Sequence, residues 1–438
     1  MLAAIDIGGT FLKSGIADIN SRSVSHVERH AGCRIHIGPK GEVELDADEL
    51  ISSVRRTIRH LVRQFPQTSG LLLTGQMHGW TLTNADGTPA SPVVTWRDNY
   101  RSESDGLKGT VGPLETVSEL LGDELIRRSG NELRVGIPAV SLFERVRDGL
   151  PVRTTSLNSL TSFVANQLTE NFVEPVIHIT DAAALGMVNL STNDWDSEII
   201  SRLGVGNMRF PRIVDALTVA GKIPGLEIPV YTAIGDQQAA LLGTGLKRDE
   251  LSLNIATGSQ VSRIVEKPIG DCQIRPYFAN TFLATFTHIP AGRALNALVD
   301  ALARFSGMSE SEVWTRAIQE CDELPAKSPL TVTPTFFESP YGRNGSISGL
   351  NEASFNISYV FAGAIDWMVD IYRECALKLD PESSLKDVAV TGGLGVRLAY
   401  FKRRLITELN DRSLRFFNEE DASLVGLAAL AYDSALEE

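Results

Sequence analysis

Short apolar runs alternate along the chain with longer segments in which apolar residues recur at helical spacing, a pattern typical of an α/β protein. A glycine turn interrupts the first apolar run, so Leu2 to Ala17 is predicted to form a β-hairpin with its turn at Gly8 to Thr10. The same pattern recurs at Leu251 to Val265, with the turn at Ala256 to Ser259. The recurrence predicts a duplication in which each of two domains begins with a hairpin.

The remaining segments complete the two predicted domains. Helices are predicted over Asp46 to Phe65, Leu114 to Arg128, Ser141 to Arg147, Ile213 to Lys222, Gln237 to Leu242, Arg293 to Phe305, Glu310 to Cys321, Ser358 to Leu379, Tyr400 to Asn410 and Ala422 to Leu436. Further strands are predicted over Gly70 to Thr74, Pro92 to Trp96, Pro229 to Ile234 and Asp387 to Val390. A glycine-rich and then charged stretch, Gly243 to Glu250, marks the boundary, so the predicted domains are 1–244 and 245–438.

Composition and charge disfavour several classes of partner. The 438 residues carry a net charge of −13, so nucleic acid is not expected to bind. The sequence has no run of eighteen apolar residues, so no membrane span or membrane partner is expected. Met1 to Asp6 lacks the features of a signal peptide, and the four cysteines form no Cys-x-x-Cys motif. These features predict a cytoplasmic protein with reduced thiols.

Four glycine-containing turns each follow or interrupt a predicted strand. They are Gly8-Gly9-Thr10, Gly235-Asp236, Thr257-Gly258-Ser259 and Gly392-Gly393. Glycine lets a backbone approach a ligand closely, and Thr or Ser adds a hydroxyl donor. Any one of these turns is a weak signal, but two hairpin turns that face each other can hold the phosphates of one nucleotide between two domains. The sequence contains no Walker A, Gly-x-Gly-x-x-Gly, His-Glu-x-x-His or Gly-x-Ser-x-Gly motif.

Two carboxylates lie beside these turns, and each has two interpretations. Asp6 is placed to orient toward Mg²⁺ through water or to accept hydrogen bonds from its own turn. Asp236 lies at a strand-to-helix junction, where it is either a helix N-cap or a general base that takes a proton from an attacking hydroxyl. Lys13 is either a phosphate neutraliser or a solvated strand residue. One base, one cation site and positioning groups are what phosphoryl transfer requires.

Polar and aromatic residues follow two other predicted strands. They are Gln76, Met77, His78 and Trp80 after one strand, and Trp96, Arg97 and Asp98 after the next. Ligands bind at the exits of strands in α/β sheets, and a polyol requires amide and carboxylate partners with an aromatic surface. A structural histidine and a core tryptophan are the competing interpretations.

Taken together, these segments resemble the FGGY carbohydrate kinases in the family's own order. The segments that carry the resemblance are Asp6-Ile7-Gly8-Gly9-Thr10 with Lys13, Gly75 to Gly79, Thr95-Trp96-Arg97-Asp98, Thr180 to Ala184, Ile234 to Ala240, Leu253 to Ser259, Thr391-Gly392-Gly393 and Glu420-Asp421-Ala422 with Gly426. The order of eight segments is far more specific than any one of them.

The resemblance implies a duplicated, two-domain actin-like ATPase fold of the ribonuclease H-like type, with a cleft between the domains. It implies a phosphotransferase that moves a phosphate from ATP to an alcohol group of a sugar, with Asp236 as catalytic base and Asp6 as Mg²⁺ ligand. ATP would contact Gly8, Gly9, Thr10, Lys13, Thr257, Gly258, Ser259, Gly392 and Gly393. The sugar would contact Gln76, Met77, His78, Trp96, Asp98, Asp236 and Gln237.

Within this family, the segments Leu253 to Gln260 and Arg275 to Phe278 resemble sedoheptulokinases, whereas Gln76 to Gly79 is shared with xylulokinases. The expected substrate is therefore sedoheptulose, with D-xylulose or another ketose or polyol as the alternative. Gly9, Arg97 and Arg397 depart from the family's usual Thr, Gln and Ser. A hexokinase-like sugar kinase and a sugar-binding pseudokinase are further alternatives. Dimers are the commonest assembly, so a homodimer is the default expectation.

Overall fold

Two compact units make up the computed structural model, which describes residues 1–9, 11–101, 112–337, 339–354, 356–417 and 421–435. The first unit comprises Met1–Gly245, Ile274–Thr281 and the described residues from Asp421 onward; the second comprises Leu246–Gln273 and the described residues from Phe282 to 417. This division differs from the predicted domains, 1–244 and 245–438, because two later segments pack with the first unit.

Strands and helices alternate along both units. In chain order the strands are β1 (Leu2–Ile7), β2 (Phe11–Asp18), β3 (Ser23–Ala31), β4 (Ile35–Ile37), β5 (Val43–Leu45), β6 (Leu71–Gly75), β7 (Trp80–Thr83), β8 (Val93–Val94), β9 (Ser156–Ser159), β10 (Val176–His178), β11 (Val188–Asn189), β12 (Asp194–Trp195), β13 (Arg212–Val214), β14 (Val219–Lys222), β15 (Pro229–Tyr231), β16 (Ile234–Gly235), β17 (Glu250–Ile255), β18 (Gly258–Val265), β19 (Gln273–Pro276), β20 (Phe282–Pro290), β21 (Thr331–Thr333), β22 (Ser346–Ser348), β23 (Asp387–Thr391) and β24 (Ser413–Phe416). The helices are α1 (Ala47–Gln64), α2 (Pro113–Arg128), α3 (Pro138–Arg147), α4 (Leu160–Thr169), α5 (Ile179–Ala183), α6 (Ser197–Arg202), α7 (Asp236–Gly243), α8 (Gly292–Ser306), α9 (Glu310–Asp322), α10 (Ile357–Leu379), α11 (Gly393–Arg397), α12 (Ala399–Glu408) and α13 (Ala422–Ala435). No described helix has the length and apolar character needed to cross a membrane.

The main sheet of the first unit places β1 at its centre. β1 and β3 both pair antiparallel with β2, and β1 lies parallel to β6. β15 and β16 lie parallel to β6 on its other side, giving the order β3-β2-β1-β6-β15. Successive residues of a strand face opposite sides of the sheet, so Ile5 packs in the cluster beneath α1 and α4 while Ala4 packs in the cluster beneath α7 and α13. Helices therefore cover both faces of the sheet.

The second unit repeats this arrangement. β17 and β20 pair antiparallel with β18, β17 lies parallel to β23, and β23 lies parallel to β24. The resulting order β20-β18-β17-β23-β24 matches that of the first unit strand for strand. The duplication that the two hairpin patterns predicted is therefore confirmed.

One helix predicted from the sequence is wrong. Ile213 to Lys222 forms β13 and β14 with a bend between them rather than a helix. The β-branched residues Ile213, Val214, Thr218 and Val219 favour strands, and pairing of β13 with β10 and β14 with β15 outweighs the apparent helical spacing.

Candidate active site

Asp6 lies at the carboxyl end of the central strand β1. The Ser423 hydroxyl, from the start of α13, donates to Asp6 Oδ2 at 2.6 Å. Burial raises the pKa of Asp6, and the Ser423 hydrogen bond and the charge of Lys13 oppose this effect. Lys13 lies opposite Asp6 on β2, and its Nζ is 3.3 Å from Asp421 Oδ1. The end of β1 thus holds a carboxylate whose charge is only partly compensated by protein groups.

Asp236 is the first residue of α7, directly after the N-cap Gly235. The interpretation of Asp236 as an N-cap is therefore wrong. Burial and then the charge of Asp6 raise the pKa of Asp236 to about 7; the charge of Asp181 also raises it, whereas the Gln237 N–H and the Arg275 charge lower it. A carboxyl group that titrates near neutral pH suits a general base, because it accepts a proton readily and releases it again.

A third carboxylate, Asp181 of α5, lies near Asp236. It is buried, and it accepts hydrogen bonds from the Ser159 and Thr161 hydroxyls. Burial raises the pKa of Asp181 to about 6. Its segment belongs to the resemblance, but the sequence alone assigned no role to this residue.

The charges of these carboxylates bear on whether this region can hold a cation. The charges of Asp6 and Asp181 both oppose ionisation of Asp236, so a bound cation would relieve the repulsion. Among the described residues no group of three or more His, Cys, Asp or Glu side chains is arranged to hold a metal. Mg²⁺ keeps several waters and binds through one or two carboxylates plus substrate phosphates, so Asp6 with its acidic neighbourhood fits this ion.

Gln76 follows β6 and lies beside the first hairpin. Its backbone N–H donates to the Ile7 carbonyl at 3.0 Å. Its side chain is only 5% exposed, and neither Oε1 nor Nε2 has a hydrogen-bond partner among the described residues. A Cβ on Gly9 would lie 3.5 Å from Gln76 Oε1, so this amide oxygen faces the glycine turn. Because a buried amide without partners is costly, a ligand hydroxyl would satisfy it.

His78 has a backbone φ of +65°, which is uncommon for a residue with a side chain. Its Nδ1 lies 2.8 Å from the Ala184 carbonyl, so this nitrogen carries the proton and donates. Burial lowers the pKa of His78 to about 3, so the ring is neutral and its Nε2 is an acceptor. The ring therefore has a fixed tautomer with one acceptor nitrogen. That nitrogen can accept a hydrogen bond from a sugar hydroxyl.

Three charged residues that the sequence reasoning did not assign to the site join this segment. Arg275 Nε donates to Glu132 Oε2 at 3.0 Å, and another of its nitrogens donates to Gln237 Oε1. Glu132 Oε1 lies 3.5 Å from His78 Nε2 and 3.8 Å from Arg134 Nε. Burial disfavours the charge on Glu132, but the cations Arg275 and Arg134 hold its pKa below the ordinary range. Glu132 and Arg134 lie in the loop between α2 and α3, where no motif marks them.

Asp98 and Trp96 have different surroundings. Arg145 donates to Asp98 Oδ2 at 2.7 Å and to Oδ1 at 2.9 Å, and the Val43 N–H donates to Oδ1 at 3.0 Å. Asp98 is 1% exposed, so protein donors occupy the carboxylate that was predicted to bind sugar. Trp96 is 43% exposed, so the interpretation of Trp96 as a core residue is wrong. The Trp96 carbonyl packs against Gly136, two residues after Arg134.

In the second unit, the two predicted nucleotide segments lie against each other. A Cβ on Gly392, which has a φ of +86°, would lie 2.3 Å from the Ile255 carbonyl oxygen. Apart from the adjoining residues of the chain itself, no described residue has a heavy atom within 4 Å of a Cβ built on Gly258 or Gly393, so a ligand has room to approach both backbones. The Ser259 hydroxyl is buried and hydrogen-bonds Tyr372 OH at 2.7 Å. Thr257 is exposed, and Thr10 of the first hairpin lies outside the described residues.

Similarity to known proteins identifies the family of this chain. The sequence model of the FGGY family of carbohydrate kinases, N-terminal domain, matches residues 1–243. The chain is 24% identical over 284 residues to gluconokinase of Bacillus subtilis (strain 168), covering 62% of this chain and 53% of that relative. It is 25% identical over 334 residues to sedoheptulokinase of Homo sapiens, covering 68% of this chain and 66% of that relative. The chain thus spans about half to two thirds of the length of these curated relatives.

A solved structure shows the same fold over the whole chain. The ligand-bound xylulose kinase from Lactobacillus acidophilus superposes with a TM-score of 0.84 at 18% identity, covering 100% of this chain and 90% of the kinase. The predicted actin-like ATPase fold is therefore confirmed.

Proposed function

This chain belongs to the FGGY family of carbohydrate kinases, and from that premise we propose that it transfers the γ-phosphate of ATP to a hydroxyl group of a sugar. The observation that carries the proposal is Asp236, a carboxyl with a pKa of about 7 at the start of α7, near Asp6 and adjacent to Gln237. Gln76, whose buried amide has no hydrogen-bond partner among the described residues, supplies the polar surface that a polyol needs.

Asp236 acts as the general base in this proposal. A sugar hydroxyl oxygen attacks the γ-phosphorus and forms the new P–O bond, while its proton moves to Asp236. The bond between the γ-phosphorus and the bridging oxygen breaks, and ADP leaves with that oxygen. Mg²⁺, when bound near Asp6, would neutralise the charge of the phosphates. Lys13, on β2 opposite Asp6, adds a positive charge on the same side.

The contacts to ATP are proposed from the glycine turns of each unit. In the first unit they are Gly8, Gly9, Thr10 and Lys13. In the second unit they are Thr257, Gly258, Ser259, Gly392 and Gly393, and the open space above Gly258 and Gly393 supports a close approach of the ligand to the backbone. The Ser259 hydroxyl is committed to Tyr372, so Ser259 contributes through its backbone.

The sugar is proposed to lie against Gln76, Met77, His78, Trp96, Asp236 and Gln237. Asp98 is proposed to act indirectly, by fixing the Trp96 loop through Arg145. Sedoheptulose is the first candidate and D-xylulose or another ketose or polyol the second. One curated relative is a sedoheptulokinase and one structural relative a xylulose kinase, each at low identity. A non-catalytic sugar-binding protein is the remaining alternative.

A cytoplasmic location and a homodimer belong to the same proposal. The four free cysteines support the proposed reducing compartment.

The proposal is tested by sugar-dependent release of ADP from Mg-ATP. The panel contains sedoheptulose, D-xylulose, D-ribulose, L-ribulose, L-fuculose, D-gluconate, glycerol and D-glucose, and Asp236→Asn is the blank. A strong signal with one sugar that disappears in the blank supports the proposal and identifies the substrate. ATP binding with no turnover of any sugar supports the non-catalytic alternative.

A further inference from the structure

The ion pair between Arg275 and Glu132 touches several of the proposed sugar contacts at once. Arg275 donates to Gln237 Oε1, and its Nη1 lies 3.9 Å from Met77 Sδ. Glu132 accepts from Arg275 and lies 3.5 Å from His78 Nε2. One pair of side chains therefore links the segment after β6 to the start of α7.

Arg275 is held rigidly by its own backbone. The Ile274 N–H donates to the Gly130 carbonyl at 2.8 Å, and Gly130 lies so close that a Cβ there would be 2.3 Å from the Ile274 carbonyl oxygen. On the other side, Gln238 Nε2 donates to the Pro276 carbonyl at 3.2 Å. The short segment that carries Arg275 is thus anchored both to the loop before Glu132 and to α7.

The pair also fixes the polarity of its neighbours. A guanidinium only donates, so the atom of Gln237 that faces Arg275 is the amide oxygen and the NH₂ group points elsewhere. The side chain of Arg275 is 8% exposed and that of Glu132 is 10% exposed, so water competes little with these contacts. A planar, bidentate guanidinium holds such an arrangement far better than an ammonium group.

We propose that the Arg275–Glu132 pair is a positioning pair, in which Glu132 orients Arg275 and Arg275 holds Met77 and Gln237 in one arrangement, and that the pair thereby determines which sugar binds productively. This inference rests on the proposed sugar kinase activity. Neither residue is assigned a contact with the reacting atoms. The role follows from the geometry, since disrupting the pair would release two proposed sugar contacts together, Met77 and Gln237.

The test uses the whole chain and two mild variants, Arg275→Lys and Glu132→Gln. Arg275→Lys keeps the charge but loses the bidentate geometry, and we expect the KM for the sugar to rise about 100-fold while the KM for ATP changes less than about threefold. Glu132→Gln keeps one hydrogen bond to Arg275, and we expect a rise of about tenfold. In both variants the preference for the best sugar over the second-best sugar should fall by about tenfold.

The matched control is Arg412→Lys, which disrupts a buried ion pair of the second unit. Arg412 Nη1 donates to Asp380 Oδ2 at 2.9 Å, and these side chains are 1% and 2% exposed. This variant should lose thermal stability, yet its sugar KM should stay within about twofold of the parent. A loss of folding alone lowers the active fraction and leaves the KM unchanged.

The outcomes separate the inference from the proposed function. If the parent protein turns over a sugar and Arg275→Lys has the parental sugar KM and preference, the positioning role is wrong while the kinase activity stands. If the control variant raises the sugar KM as much as Arg275→Lys does, the effect is not specific to the pair and the inference is also wrong. If the parent turns over no sugar in the panel, the proposed function fails and this inference fails with it.

Discussion

Five strands of the two main sheets have the same order, but residues at corresponding positions differ in charge. Asp6 is the fifth residue of β1 and pairs with Lys13, whereas Asn254 is the fifth residue of β17 and pairs with Gln260. The next parallel strand has a threonine at the matching place in each sheet, Thr74 in β6 and Thr391 in β23. A charged pair in the first unit is therefore a neutral amide pair in the second.

The difference indicates a division of chemical roles between the two copies of the fold. The first unit gathers Asp6, Asp181 and Asp236, whose raised pKa values reflect burial and, for Asp236, mutual repulsion. Such a group can take a proton and attract a cation. At the corresponding strand end, the second unit presents Asn254 and glycine turns, which under the proposed function would approach the phosphates without charge repulsion. Duplication preserved the scaffold, while the charges diverged.

The largest effect is expected at the acidic centre of the first unit. Asp236→Asn removes the proposed base, so turnover should fall by on the order of 1,000-fold or more while sugar binding is retained. In the parent, kcat/KM should rise with pH around a midpoint near the Asp236 pKa of about 7, because the base must be ionised. Stopped assays of ADP formation across pH would measure both. Near-parental turnover in Asp236→Asn would rule out the assignment.

The same variant makes a separate prediction about stability. The pKa of Asp236 is raised from 3.8 to about 7, so the folded parent holds the proton more tightly and loses stability as pH rises between these values. Asp236→Asn should therefore be more stable than the parent above neutral pH, by about 4 kcal/mol, with the difference vanishing near pH 4. Thermal unfolding at several pH values measures the difference. If the parent is as stable as Asp236→Asn at high pH, the raised pKa of Asp236 is contradicted.

These features were accessible from the sequence to different degrees. The hairpins and the position of Asp236 could be predicted from local apolar runs and glycine turns. The structure has β1 and β17 where these runs predict strands. The network of Glu132, Arg134 and Arg275 could not be predicted from such local patterns, because it joins segments more than 140 positions apart. No local pattern marks residues whose function arises only when distant loops meet. Asp98 shows the converse, since its motif was visible but its ion pair with Arg145 was not.

Two variants that exchange the charge between the two sheets test this division of chemical roles. Asp6→Asn should reduce kcat by on the order of 100-fold and should move the acidic limb of the pH profile to lower pH, because the charge of Asp6 raises the pKa of Asp236. Asn254→Asp should raise the KM for ATP by about tenfold through repulsion of the phosphates. Steady-state kinetics at varied ATP and pH distinguish the two effects. Equal effects of both variants on the KM for ATP would contradict the division of roles.

A smaller effect, on stability, is expected where two helices meet. A Cβ on Gly426 of α13 would lie 1.8 Å from the Ala239 carbonyl oxygen of α7, and one on Gly243 would lie 1.9 Å from the Ala422 carbonyl oxygen. Gly426→Ala must push the helices apart, so it should cost about 3 kcal/mol of stability. Gly393→Ala has open space around its Cβ and serves as the control: its stability should be parental while its affinity for ATP falls. Denaturant unfolding and ATP titration separate the two glycines, and equal stability losses would refute this interpretation.

The smallest effect concerns a hydroxyl that the sequence pattern placed at the phosphates. Ser259 Oγ is buried and lies 2.7 Å from Tyr372 OH, so its side chain serves the core of the second unit. Ser259→Ala should therefore cost about 1 kcal/mol of stability and leave the KM for ATP within about twofold of the parent. Tyr372→Phe removes the other half of the same hydrogen bond and should produce a similar loss. A tenfold rise in the KM for ATP in Ser259→Ala, without the same rise in Tyr372→Phe, would show that the Ser259 hydroxyl contacts ATP. The second hairpin would then contribute a side chain as well as its backbone to phosphate binding.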